Sequence, residues 1–150
     1  MNLKLLSWNV RGLNNPHKRD TVKNSLKEWK CDVVCFHETK LDYTNSSVMK
    51  IFWGSLLIDW VSLDAIHKTG GVLLTWDKRV YEKIDYMIGS FSVSILLKGV
   101  VDGLRGGFSK DVGIYFPALC ACIMHDICVC VYIYIYLLNP FDVIITVHVT

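Results

Sequence analysis

Leu3-Lys4-Leu5-Leu6-Ser7-Trp8-Asn9-Val10-Arg11-Gly12-Leu13-Asn14-Asn15-Pro16 is the stretch on which the fold turns. Leu3 to Trp8 is a short apolar run with no helix cap before it, so it predicts a buried strand that feeds a loop from Asn9 to Asn15. Asn15 then caps a helix. Pro16 at the first helical position needs no N–H partner, and Val22, Leu26 and Trp29 recur at i, i+4 and i+7, so one stripe faces a core. The helix ends near Lys30. Cys31-Asp32-Val33-Val34-Cys35-Phe36 is a second β-rich run. Strand, helix and strand at this spacing predict a parallel pair joined by a crossover. The second strand delivers His37-Glu38-Thr39-Lys40 at its carboxyl end.

Outward from that unit, Ser46 or Ser47 starts a short helix through Trp53, and Leu56 to Val61 follows as a strand. Gly70-Gly71 breaks the chain before Val72-Leu73-Leu74-Thr75-Trp76. Asp77-Lys78-Arg79 makes a polar turn into Val80 to Ile88. After Gly89-Ser90, the residues Phe91, Val93, Ile95 and Leu97 alternate with Ser92, Ser94, Leu96 and Lys98, the pattern of half-buried antiparallel strands. The fold class expected is α/β, with a largely antiparallel second part.

Composition admits one ordinary domain. The chain has 150 residues, 52% hydrophobic and 20% charged, with three prolines, which excludes collagenous, mucin-like and disordered classes. The 16 Lys and Arg against 14 Asp and Glu give a net charge of +2. Residues 1–30 are more basic: Lys4, Arg11, Lys18, Arg19, Lys23, Lys27 and Lys30 face only Asp20 and Glu28, a mild polyanion signal. Met1 to Ser7 is too short an apolar run for a secretory signal, so an intracellular, reducing compartment is the expectation, nuclear or cytoplasmic. Disulfides are not expected to organise the fold, because four of the six cysteines crowd into residues 120–130.

Beyond Gly103 the composition changes. Residues 104–150 hold only Arg105, Lys110, Asp111, Asp126 and Asp142, so 25 of the 30 charged side chains precede them. Ile127-Cys-Val-Cys-Val-Tyr-Ile-Tyr-Ile-Tyr136 is two alternating dipeptides in series, which one set of codons explains: TGT/GTG for Cys-Val and TAT/ATA for Tyr-Ile. The expectation is a translated dinucleotide repeat and an apolar, low-complexity, poorly ordered tail.

Ser7-Trp8-Asn9-Val10-Arg11-Gly12-Leu13-Asn14-Asn15-Pro16 with Cys31-Asp32-Val33-Val34-Cys35-Phe36-His37-Glu38-Thr39-Lys40 resembles the endonuclease/exonuclease/phosphatase superfamily, and within it the endonuclease domain of plant LINE-type non-LTR retrotransposons. Trp53-Gly54-Ser55, Gly70-Gly71-Val72-Leu73-Leu74-Thr75-Trp76-Asp77 and Gly89-Ser90-Phe91-Ser92-Val93-Ser94 are also similar to that family, in the same order. The resemblance covers residues 3–103. It implies a DNase I-like two-sheet α/β sandwich that cleaves DNA phosphodiesters with a divalent cation, usually Mg²⁺, to nick a target for retrotransposition. Glu38 matches the family's metal-ligand Glu. Asn9 matches its first-strand Asn, whose amide positions the metal and phosphate side of the site. A hard cation that keeps most of its waters needs only one or two carboxylates.

Departures from the family bear on activity. His37 stands where the family usually shows Gln. The later signatures, Gly-Asp-x-Asn and Ser-Asp-His, are missing: no Asp-x-Asn and no Asp-His occurs in these 150 residues. No group is identified to activate water, help commonly worth about 10² to 10⁴ in rate. Gly113-Ile114-Tyr115-Phe116-Pro117 is weakly similar to the family's Gly-Val-Tyr-x-Pro, but its surroundings do not match and Tyr115 is not carried over. Residues 1–103 therefore read as the first half of such a domain, inactive as it stands, joined to an unrelated tail at 104–150. On that reading the missing second sheet leaves an apolar face, including Leu5, Val33, Leu73 and Ile95, exposed.

Plainer roles compete at each position. Asn after a strand is ordinarily a turn residue. A Glu at a strand end is ordinarily solvated. Arg19, Lys23 and Lys27 share one helix face and either touch DNA phosphates or are simply hydrated. His17 and His67 read as surface loop residues. Cys120-x-Cys122 and Cys128-x-Cys130 permit a four-thiolate zinc site on paper, without the turn-forming spacings of zinc knuckles. Ile127 to Leu138 is twelve apolar residues, short of the ~20 that span a bilayer. The alternative function is a non-enzymatic fragment whose tail serves as a membrane or interaction segment.

Overall fold

The computed structural model describes residues 3–54, 57–65, 70–100, 112–115, 131–137 and 142–149. It is a mixed α/β structure of two sheets and two helices, compatible with an α/β sandwich. The first strand, β1 (Leu3–Asn9), leads into α1 (Pro16–Trp29). Asn15 caps that helix by accepting the N–H of His17, and Lys30 closes it in the left-handed region. The next strand, β2 (Val33–His37), runs parallel to β1, with Leu5 beside Val33 and Asn9 beside His37. The parallel pair and its crossover helix are as the apolar spacing predicts.

The second helix, α2 (Ser46–Trp53), starts at Ser46 and runs through Trp53 as the sequence predicts, with Asn45 as the cap that accepts the N–H of Val48. Next come β3 (Ile58–Leu63) and β4 (Val72–Asp77), which pair antiparallel; β4 also pairs antiparallel with β2. The meander is formed by β5 (Tyr81–Ile88) and β6 (Ser92–Gly99), an antiparallel pair with an irregularity between Lys83 and Asp85.

Three further strands lie within residues 104–150, where sequence suggested an apolar and poorly ordered tail. They are β7 (Val112–Tyr115), β8 (Val131–Leu137) and β9 (Asp142–Val149). The first runs parallel to β1 and completes a five-stranded sheet of order β3-β4-β2-β1-β7. The other two complete a four-stranded antiparallel sheet of order β5-β6-β9-β8. The physical reason is periodicity. An alternating Tyr-Ile dipeptide has the period of a strand whatever produced it, and the register sets Ile133 and Ile135 opposite Val147 and Ile145.

The apolar face expected to lie bare is covered. Leu5, Val33 and Cys35 of the first sheet share one buried cluster with Val93, Ile95, Leu97, Val143, Ile145 and Val147 of the second. The two sheets thus pack face to face. Leu73 belongs elsewhere. It pairs with Phe36 and lies with Leu6, Trp8, Val22, Leu26, Met49 and Phe52 in the cluster between the first sheet and the helices. A strand buried on both faces is a continuous apolar run, so its phase is not written in the pattern. Among the described residues no helix is long and apolar enough to cross a membrane.

Candidate functional site

The carboxyl ends of β1 and β2 form a rim that β4 approaches from its amino end. Alternation along β1 and β2 puts Ser7, Asn9, Cys35 and His37 on the face that looks toward the second sheet, in line with Leu5 and Val33. Beyond the strands, backbone hydrogen bonds fasten three loops together. Val10 N–H donates to the His37 carbonyl at 3.0 Å, Gly12 N–H to that of Glu38 at 2.6 Å and Leu13 N–H to that of Thr39 at 2.8 Å. Thr39 and Lys40 donate in turn to the carbonyls of Gly71 and Gly70, at 3.3 and 2.9 Å. The Asn14 side chain adds a bond to the Lys40 carbonyl at 2.8 Å.

Asn9 and Glu38, the two residues singled out from sequence, are brought to this one rim, a single register step apart. The Asn9 Oδ1 accepts the Arg11 N–H at 3.1 Å, the turn role expected of Asn after a strand, and the side chain is half-buried. Glu38 is also half-buried and holds φ of 54°. The left-handed region recurs here: Arg11 (50°), Glu38 (54°) and Lys40 (55°) are three of the four non-glycine residues with positive φ among the described residues, the fourth being the helix cap Lys30. Such backbone costs roughly 1–3 kcal/mol per residue and persists where surrounding contacts enforce it. Gly12 and Gly71 share the habit, with φ of 98° and 96°. At Gly71 a Cβ would overlap the Thr39 hydroxyl, so glycine is required there for space as well as for φ.

His37 is buried. Its Nε2 lies 2.7 Å from the Ser7 Oγ, and its Nδ1 lies 3.8 Å from the Cys35 Sγ. Burial pushes its pKa down to about 4, so the ring is neutral at physiological pH. Burial likewise raises the Cys35 thiol far above its ordinary range, which leaves it inert. Sequence reasoning passed over the Ser7 and His37 pair, although Ser7 stands two residues before Asn9 and so shares its face.

Cations approach the rim from a different side than the helix pattern suggests. Arg19 donates from Nε to the Leu13 carbonyl at 2.6 Å and stacks over the Phe52 ring, and the Lys23 stem packs beside Gly54. Both serve the contact between the helices. Lys18 instead reaches the rim, donating to the Arg11 carbonyl at 3.2 Å. Burial, then the charges of Arg11 and Lys40, hold the Lys18 pKa below its ordinary value. These three had no shared spacing to reveal them, because they come from two loops and the first turn of α1.

For metal, the chain offers at this rim one carboxylate and one amide oxygen, a donor set suited to a hydrated hard cation. It does not suit a dehydrated cage. Among the described residues no group of three or more His, Cys, Asp or Glu converges. Cys120, Cys122, Cys128, Cys130 and His67 lie outside the described residues, while His17 is exposed at the start of α1. Tyr115 ends β7, beside Leu6 in register. No protein-family model matches this sequence, and no curated protein matches it either.

Proposed function

We propose that this chain carries the acidic half of a divalent-metal phosphodiesterase site of the endonuclease/exonuclease/phosphatase type, with DNA as the substrate class and a DNase I-like sandwich as its frame. One observation carries the reading: Asn9 and Glu38 stand at the adjoining carboxyl ends of two parallel strands, where open α/β sheets hold ligands. Glu38 would hold a Mg²⁺ ion with help from the Asn9 amide, and the bound ion would offset charge growing on the phosphoryl oxygens. The chain's own part is positional. The hydrogen bonds from Gly12, Leu13, Lys40 and Asn14 fix the rim before any ligand arrives.

Water activation is the missing function. No Asp-x-Asn or Asp-His segment is present in the sequence, and His37, buried and hydrogen-bonded to Ser7, is not placed to take a proton from solvent. The chain therefore binds cation and phosphodiester without appreciable turnover. Mn²⁺ titration followed by electron paramagnetic resonance, run beside a plasmid-nicking assay, tests this. Wild type is expected to bind Mn²⁺ weakly, Glu38→Ala to lose that binding, and neither to nick plasmid. Mn²⁺ binding that survives Glu38→Ala would overturn the site. Nicking abolished by Glu38→Ala would confirm the site and overturn its inactivity.

A further inference from the structure

We infer that the outer edge of β5 is a self-association surface, where a second copy of this chain pairs antiparallel through residues 85–89 with Met87 on the two-fold axis. The inference is independent of the metal and phosphodiester reading.

β5 ends its sheet: it pairs with β6 on one side and with no other described strand. An open edge of this kind is ordinarily guarded by charge, proline or a bulge. Here the guards sit in the amino half, where Glu82 and Lys83 precede the irregularity between Lys83 and Asp85. Past it the ladder with β6 is regular from Asp85 to Ile88, and Asp85 is the one charge in that run. The side chains there are apolar and bare. Ile84, Tyr86, Met87, Ile88 and the flanking Phe91 are 47% to 69% exposed. Tyr86 and Ile88 stand beside Ile95 and Val93 on the inter-sheet side, and Met87 beside Ser94 on the other, so the edge is apolar on both faces. At roughly half of about 200 Å² each, five such side chains offer roughly 500 Å² per copy. Two copies then bury about 1,000 Å², which reaches the threshold of a specific interface before any backbone hydrogen bond is added.

Self-complementarity selects both the occupant and the register. A two-fold axis makes each residue meet one from the same segment. With the axis at Asp85, two carboxylates face each other, which is destabilising. With the axis at Tyr86, each Asp85 lies opposite a methionine. An axis nearer the amino end falls on the irregularity. With the axis at Met87, that residue meets its own copy, Tyr86 meets Ile88 of the second copy and Asp85 meets Gly89 of the second copy. No charges are then opposed, and two pairs of an aromatic with a β-branched side chain form on the inter-sheet side. The Asp85 carboxylate accepts the Tyr86 N–H at 2.8 Å, a local bond that stands in for a neighbouring strand. In the dimer the Ile88 carbonyl of the second copy takes that N–H.

Sedimentation velocity of the full chain across a concentration series tests the surface, with circular dichroism spectra confirming that each variant folds. Wild type is expected to run as a closed species of twice 17.2 kDa. Met87→Lys and Met87→Glu, at an exposed position, are each expected to run as monomers, because each sets like charges about 4.5–5.5 Å apart across the axis. Mixing the two is expected to restore a dimer, as is mixing Tyr86→Lys with Ile88→Glu, whereas Tyr86→Lys with Tyr86→Glu stays monomeric. Ile51→Lys, at a comparably bare apolar position on α2, is expected to leave the dimer intact. A wild-type monomer at every concentration overturns the proposal, as does open-ended assembly. Dissociation by Ile51→Lys, a dimer that survives both Met87 variants, or a mixture that fails to reassemble overturns it equally.

Discussion

The two faces of the first sheet are covered by chain drawn from very different distances. On the helix side, the buried residues all fall between Leu6 and Leu73. On the side of the second sheet, they run from Leu5 to Val147. The helix-side layer is rich in large side chains, among them Trp8, Phe36, Met49 and Phe52, held by two capped helices. The inter-sheet layer is mostly Val, Leu and Ile on strands, and its completion waits for residues 143–147. One layer can assemble from local contacts, whereas the other is complete only when the two ends of the chain meet. The candidate rim hangs from both, because β1 and β2 present alternate residues to each layer.

That difference is open to direct attack, and the largest effect is expected from removing β9. A chain ending at residue 141 uncovers Val93, Ile95 and Leu97 and takes from β8 its described partner. Thermal unfolding should lose its main cooperative transition while helical circular dichroism persists. An unchanged transition would show that β9 contributes nothing to the cooperative core.

A smaller effect comes from acid, through His37 on the inter-sheet face. Its folded pKa, about 4, lies below the ordinary 6.5, so the unfolded chain binds the extra proton between those values. The stabilisation from keeping the ring neutral is therefore full above pH 6.5 and is lost as pH falls through 4. The loss should approach roughly 3 kcal/mol relative to His37→Gln, which keeps a partner for Ser7 but does not titrate. Denaturant melts of both proteins from pH 7 to pH 4 give the comparison, and parallel curves would refute the neutral buried ring. Smaller again is Gly71→Ala, where a left-handed φ and the overlap with Thr39 should together cost about 2 kcal/mol. Because Gly71 accepts the Thr39 N–H, the same variant should weaken Mn²⁺ binding at the rim. Melting and Mn²⁺ titration measured together reveal whether rim and fold are coupled.

Local features were legible in the sequence because their causes are local. Asn15-Pro16 marks a helix start by chemistry that needs no neighbour, and the alternation from Ser92 to Leu97 states which side of β6 is buried, although Phe91, in the same phase but ahead of the strand, is exposed. The rim emerged only in part. Asn9 and Glu38 stood out through flanking residues, but Lys18 was hidden, since Arg19, Lys23 and Lys27 form the regular stripe on the same helix. The structure spends Arg19 and Lys23 on α2. Leu73 falls on the helix side rather than on the inter-sheet face that the sequence predicts, because β4 is buried on both sides from Val72 to Trp76 and such a run does not state its phase. The strands after Gly103 are less legible for a different reason: the codon repeat accounts for the composition of the Cys-Val and Tyr-Ile tract but says nothing of the strand it pairs with. Backbone pairing responds to the period of side chains and is indifferent to how that period arose.

The positive φ angles at Arg11, Glu38 and Lys40 carry an evolutionary consequence. At each of these places Gly or Asn would sit more comfortably than the residue present. A laboratory lineage selected for heat tolerance alone would therefore drift toward those replacements and shed, one after another, the acid and two of the cations. Wherever a lineage instead retains charge at all three positions, selection has been acting on what the rim holds rather than on how firmly the chain folds.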